Sequence, residues 1–228
     1  MNLQRIDHEI VTEDKRRLYV VDGKPVPLIS VTQRLKFVAK PYLTAWQVKL
    51  GKEESEAVRD ETSRHGRKVH ELVQQILDGV PVGDEYWNLD EPVQNGLKAF
   101  VRLKKAHEIE HIKGEFFVYL EQEGLAGTFD ELCRFDGVLT LADFKTGGLY
   151  PEQWLQLAFY ATALQRLFKV RPKQIMRICL DRQTGIPTFD TNLVPSDGEP
   201  FTVKQAYDAL LHIHKAAQFM ESHGAKYW

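Results

Sequence analysis

Residues 127–147 read GTFDELCRFDGVLTLADFKTG, and they constrain the fold more than any other stretch. Two runs of strand-forming residues, 125–135 and 138–144, are separated only by Asp136-Gly137. That pair favours a tight hairpin turn, because both of its central residues take positive φ. A third run, 112–120, precedes them across the turn-like segment 121–124. Strands joined this closely become neighbours in one sheet. Yet the runs carry Glu115, Asp130, Asp143 and Lys145, where a sheet would bury apolar side chains.

Other elements stand on either side of this block. Residues 17–21 and 26–29 flank Asp22-Gly23, a hairpin signal. Ser30-Val31-Thr32-Gln33 has the form of a capping box opening a short helix. Helical patterns follow at 41–50, stopped by Gly51, and at about 53–77, ending at Asp78-Gly79. After a loop at 81–90, Asp90-Glu91-Pro92 starts a helix that runs to about residue 108. Beyond the three strands come a helix at 151–168, a strand at 174–180 and a helix at 203–222. This order predicts an α/β fold, a mixed central β-sheet flanked by helices, with an N-terminal β-hairpin and a helical cover. A length of 228 residues fits a single domain over 1–228, with hairpin and cover in 1–80 and core sheet and helices in 90–222.

Composition narrows the function classes. A net charge of −2 argues against a general nucleic-acid coat but leaves room for a local basic groove. Cys133 and Cys179 sit in apolar, strand-like settings and read as reduced core thiols. Two cysteines cannot supply a four-cysteine zinc or iron–sulfur site, so no iron–sulfur cluster is expected. No apolar run approaches the ~20 residues of a membrane span, and the N-terminus lacks the apolar segment of a signal peptide. The expectation is a cytoplasmic protein with no membrane partner.

Strand alternation puts Asp143 and Lys145 on one face with Leu141, and Ala142 and Phe144 on the other. It also puts Asp130 on a face with Thr128 and Leu132. Counting outward from Asp136-Gly137 sets Asp130 and Asp143 about level. Two carboxylates with an ammonium beside them suit a hard divalent cation and a phosphate. Alone, Asp143-Phe144-Lys145 reads as a surface ion pair, since Glu13-Asp14-Lys15 and Asp22-Gly23-Lys24 are similar triplets in turns. Three other features accompany it. Gly66 and His70 share a helix face, with Arg67 beside them. Gln156 and Tyr160 are likewise one helical turn apart, and Glu115 interrupts the first strand.

In this order, Gly66-x-x-x-His70, Gly127-Thr128-Phe129-Asp130, Asp143-Phe144-Lys145-Thr146-Gly147 and Gln156-x-x-x-Tyr160 resemble the RecB-type branch of the PD-(D/E)xK nucleases. Ser30-Val31-Thr32 after a hairpin is similar to the opening of small phage exonucleases and of the mitochondrial genome-maintenance exonuclease. The resemblance implies a restriction-endonuclease-like core and a magnesium- or manganese-dependent, two-metal DNA exonuclease that works without sequence preference from ends. It also implies a phage or prophage recombination or repair setting in the host cytoplasm, with a single-strand annealing protein as partner. Asp130 and Asp143 would be metal ligands, with the backbone carbonyl of Phe144. His70 would add a ligand, and Glu115 would reach a second metal. Lys145 would position or activate the water. Gln156 and Tyr160 would support the site and touch the DNA backbone, and Arg67, Ser30 and Thr32 would also touch DNA. Two departures stand out: Phe129 replaces the family's proline, and Asp143 stands where many members have glutamate.

Two rival readings remain. One is a catalytically silent DNA-binding relative. The other is a zinc peptidase, because His107-Glu108-Ile109-Glu110-His111 matches HExxH. If the helix ends near His107, these histidines fall in a strand, about 13 Å apart and too far for one zinc. His212 and His214 read as solvated. Phe37, Tyr42 and Trp46 suit core packing first and stacking on unpaired bases second.

Overall fold

The computed structural model describes residues 3–13, 16–21, 28–38, 40–193 and 201–224. The turn of the N-terminal hairpin lies outside them. Eight strands form one mixed sheet: β1 (His8–Glu13), β2 (Arg16–Val21), β3 (Leu28–Ser30), β4 (Ile109–Leu120), β5 (Leu125–Phe135), β6 (Val138–Lys145), β7 (Gln174–Leu180) and β8 (Pro187–Leu193). Among the described residues six helices flank it: α1 (Val31–Arg34), α2 (Pro41–Leu50), α3 (Lys52–Leu77), α4 (Glu91–Ala106), α5 (Glu152–Phe168) and α6 (Val203–Ser222). Short 3₁₀ turns cover Leu35–Phe37 and Asp84–Asn88. Among the described residues no helix is long and apolar enough to cross a membrane.

The strands that the sequence pattern misses, β1 and β8, each pair with one neighbour, β2 and β7, at an edge of the sheet. Ile10 and Phe189 are exposed, and β8 opens on proline. Backbone bonds to a single neighbour hold an edge strand, so its side chains need not alternate between core and solvent. The capping box expected at Ser30 is absent: the Ser30 side chain makes no cap bond, and Gln33 Oε1 instead accepts from the Arg17 N–H. A capping box does open α6, where the Gln205 N–H donates to Thr202 Oγ1 at 3.0 Å and the Thr202 N–H donates to Gln205 Oε1 at 2.7 Å.

The sheet has a core on each face. On one, α5 and α6 cover Phe129, Leu132, Leu141 and Ile175. On the other, α3 and α4 cover Cys133, Phe135, Ala142, Phe144, Met176 and Ile178. The hairpin adds a third cluster of Tyr19, Val21, Leu28, Phe117 and Ala126.

Strand β5 organises the whole. β4 pairs antiparallel along its full length, while β3 and β6 share its other edge. β3 pairs parallel at Leu125 and Ala126, and β6 pairs antiparallel from Phe135↔Val138 to Glu131↔Ala142. Residues 127–130 lie between these two ladders, so the sheet forks at Gly127-Thr128-Phe129-Asp130. Asp130 and Asp143 sit one step beyond the last β5–β6 pair, the level that the turn count implies.

Candidate active site

The fork frees backbone groups that a continuous sheet would pair, and the Phe144 N–H donates to Asp130 Oδ2 at 2.7 Å. A side chain thus takes the place of a missing strand bond, which anchors Asp130 at the opening. Opposite it on β4, Glu115 has φ 44°, a left-handed conformation unusual for a non-glycine residue in a strand. The alternation of β5 breaks at the same level. Phe129 and Leu132 both enter the core under α5, whereas Cys133 and Phe135 face α3 and α4. Asp130 turns toward His70 of α3, so it does not share a face with Leu132 as strict alternation would have it. The β4–β5 register shifts nearby, between His111 and Lys113, and irregularities of this kind re-aim side chains beside functional sites.

Helix α3 brings His70 to the fork. His70 Nδ1 lies 3.6 Å from Asp130 Oδ1 and 4.0 Å from Glu115 Oε1, beyond hydrogen-bonding length in both cases. The helix approaches this closely because of Gly66: a Cβ there would stand 3.2 Å from Thr146 Oγ1, on the loop after β6. Among the described residues, His70, Glu115 and Asp130 form the group whose ligand atoms all lie within 4.8 Å of one another. Asp143 is not in that group. It is buried, in contact with the Lys145 ammonium, and its Oδ1 has no hydrogen-bond partner.

The charges are strongly coupled. Burial pushes the Asp143 carboxyl up, to about 6, with Asp130's charge adding and Lys145 opposing. Burial also works to raise Asp130, but His70, Lys145 and the Phe144 N–H outweigh it and hold that carboxyl below its usual range. Burial would lower Lys145, yet Asp143, Asp130 and Glu115 win and keep the ammonium charged. For His70, too, burial pulls the pKa down and Asp130's charge reverses it. Burial, then Asp130's charge, raises Glu115. Closely spaced acids, one with an unsatisfied buried oxygen, and a histidine held at non-bonding distance make a donor set that fits a divalent cation.

A cavity of about 1330 Å³ opens over this group. His70, Glu115, Thr128, Asp130, Lys145, Arg67, Gln156 and Thr32 all line it. Phe144 and Asp143 lie behind its wall, both buried. Two residues expected at DNA are placed elsewhere. Tyr160 is 1% exposed and packs where a Cβ on Gly127 would sit 2.9 Å from its ring, so it supports the site from the core. Its hydroxyl accepts from Gln156 Nε2 at 3.1 Å, which orients that amide at the cavity wall. Ser30 is buried at the end of β3 and does not line the cavity. Sequence reasoning missed Arg59 and Arg182, which line it with Arg17. Arg59 is one of many charges on the polar face of α3, and Arg182 follows the end of β7, so only the parallel β6–β7 pairing brings it beside Lys145.

The HExxH histidines are separated. Helix α4 ends at Ala106 and His107 is extended, with its Nδ1 2.8 Å from Asp136 Oδ2. His111 lies in β4, its Nδ1 2.9 Å from the buried Glu131. Burial drives Glu131 up to about 9, and His111 is its hydrogen-bond partner inside the fold. His214 is a second correction: it is buried, not solvated.

A mixed sheet forked at an acidic strand, with a lysine on the next strand and helices on both faces, defines the restriction-endonuclease-like class of α/β enzymes. The chain belongs to the PD-(D/E)XK nuclease superfamily, whose family model matches residues 29–225. Among curated proteins none matches the chain. Membership makes it a nuclease domain with DNA as substrate, in a superfamily that typically uses divalent metals such as magnesium.

Proposed function

We propose that this chain is a magnesium- or manganese-dependent DNA exonuclease that works from ends. The observation that carries the reading is the His70, Glu115 and Asp130 group at the sheet fork, beside Lys145 and inside one cavity. His70, Glu115 and Asp130 would hold one ion, and Asp130 would share a second with Asp143 and the Phe144 carbonyl. Bound there, such ions supply Lewis-acid stabilisation of phosphate oxygens and a water of lowered pKa. The protein's own groups do the rest. Lys145, kept charged by its carboxylates, donates to the attacking water and offsets phosphate charge; a raised pKa makes it a poor base. Arg67 faces the cavity and meets the backbone, a contact without sequence information. Gln156 and Thr32 flank the same path.

End dependence is supported by the cavity's roof. Its lining comes from α2 and α3 above and from the strands below, a passage suited to a threaded strand. The RecB-type branch, a phage or prophage recombination role, a single-strand annealing partner, a cytoplasmic location and a single domain over 1–228 belong to the same proposal and rest on the resemblance of the motif set.

Digestion of end-labelled linear DNA and of closed single-stranded circles tests it. Linear DNA should be consumed with magnesium or manganese, not in EDTA, while circles survive. Asp130→Asn and Lys145→Ala should each lose at least ~100-fold in rate, and together little more. Full activity in EDTA refutes the metal chemistry. Equal loss of circles and lines refutes the end requirement alone.

A further inference from the structure

The cavity has an apolar wall that the metal chemistry does not use. Leu43 and Trp46 on α2, with Val58 on α3, line it, and Val58 stands about 18 Å along α3 from His70. None of the three belongs to the apolar clusters that hold the fold together. Leu43 is 39% and Val58 36% exposed, and Trp46 is partly so. Core packing, the stronger expectation for Trp46, therefore does not account for it.

A group that enters this cavity meets two chemistries. With the acids, Arg17, Arg59, Arg67, Arg182 and Lys145 line the cavity and suit a chain of phosphates. The same cavity also offers one indole and two aliphatic side chains, which suit a flat, weakly polar surface. The volume exceeds the ~300–1,000 Å³ of ordinary small-molecule pockets, as a polymer segment requires. An unpaired nucleotide has both parts, a phosphate and a free π-face. A base inside a duplex has no free face, because its neighbours cover it.

We infer that Trp46, with Leu43 and Val58, is a seat for one unpaired base, so that the strand is single where it crosses the metal group. This rests on the nuclease reading and deepens it. Stacking on an aromatic ring tolerates any base, which agrees with hydrolysis without sequence preference. Trp46 is here a positioning residue: it holds one nucleotide of a strand whose phosphate chain runs on along the cavity to the acids.

The test is binding of fluorescent single strands in EDTA, each with one abasic site moved stepwise from the end. Wild-type protein should lose about tenfold in affinity at one position of the scan, at the lower end of what base stacking supplies. A blunt duplex of equal length should bind more weakly than the intact strand. Trp46→Ala should remove the position dependence, and Trp46→Phe should keep it. Leu43→Ser, a milder change at an exposed site, should blunt the same position. A flat wild-type scan overturns the inference, as does a Trp46→Ala scan that keeps the wild-type dip. Absence of any magnesium- or manganese-dependent digestion by wild-type protein would instead remove the nuclease reading beneath it.

Discussion

Glu115→Gly and Glu115→Ala should rank in reverse of the order that strands normally impose. Inside a strand, glycine is ordinarily about 0.5–1 kcal/mol less stable than alanine because of its backbone entropy. At φ 44° the comparison changes, since an L-residue in the left-handed region costs roughly 1–2 kcal/mol that alanine retains and glycine removes. The difference leaves glycine ahead by about 0.5–1 kcal/mol. For a domain of this size that is about 1–4 °C in unfolding midpoint. Thermal unfolding of both variants in EDTA measures it without interference from bound metal. Metal titration of hydrolysis should separate stability from function, because either change deletes a carboxylate of the cluster and should raise the half-saturating concentration alike. Alanine as stable as glycine, or more so, would refute the argument that strain is stored at Glu115 for the sake of its position.

Three other outcomes follow from the structure. His70→Ala should raise the metal concentration needed for half-maximal activity more than it lowers the unfolding midpoint, because His70 Nδ1, 3.6 Å from Asp130 and 4.0 Å from Glu115, contributes charge attraction rather than a close hydrogen bond; a melted protein with unaltered metal affinity would make it structural. Burial first, then the charge of Arg34 against the weaker pull of Glu123 and Glu221, lowers His214 to about 4 from 6.5, so the unfolded chain alone binds the proton between those values. The His214 contribution to stability is intact above about pH 6.5 and lost toward pH 4, up to about 3 kcal/mol; the raised Asp143 works in the opposite sense over part of that range, so the check is urea unfolding of wild type against His214→Leu, whose difference should carry this slope. His107→Ala and His111→Ala should both keep nuclease activity near wild type when folded, but His111→Ala should cost about 1–3 kcal/mol by stranding buried Glu131; stoichiometric zinc lost in either variant would overturn this.

Local physics made much of this protein readable from its chain. The Asp136-Gly137 turn set the β5–β6 register, and with it the level of Asp130 and Asp143. Helical spacing put Gly66 and His70 on one face of α3, and a proline and an acid marked the start of α4. These features depend on neighbours within a few residues, so the sequence contains them. The edges β1 and β8 were not legible, because each is held by backbone pairing with its chain neighbour, β2 or β7, and its side-chain pattern contributes little.

The site divides in the same way. The residue types needed for metal and phosphate chemistry were visible as charges inside apolar strands. Which of them meet was decided by the fork in the sheet, where β3, from the N-terminal part, and β6 part along one edge of β5. That fork frees the Phe144 N–H for Asp130, and the broken alternation beside it turns Asp130 toward His70. It also sets Asp143 behind the wall and buries Tyr160 and Ser30. Alternation along one strand cannot foresee a bulge, since the irregularity arises from pairing with residues far away in the chain. Arg59, Arg182 and Trp46 share a cavity for that reason as well: they stand on α3, after β7 and on α2, and only the packed structure brings them together.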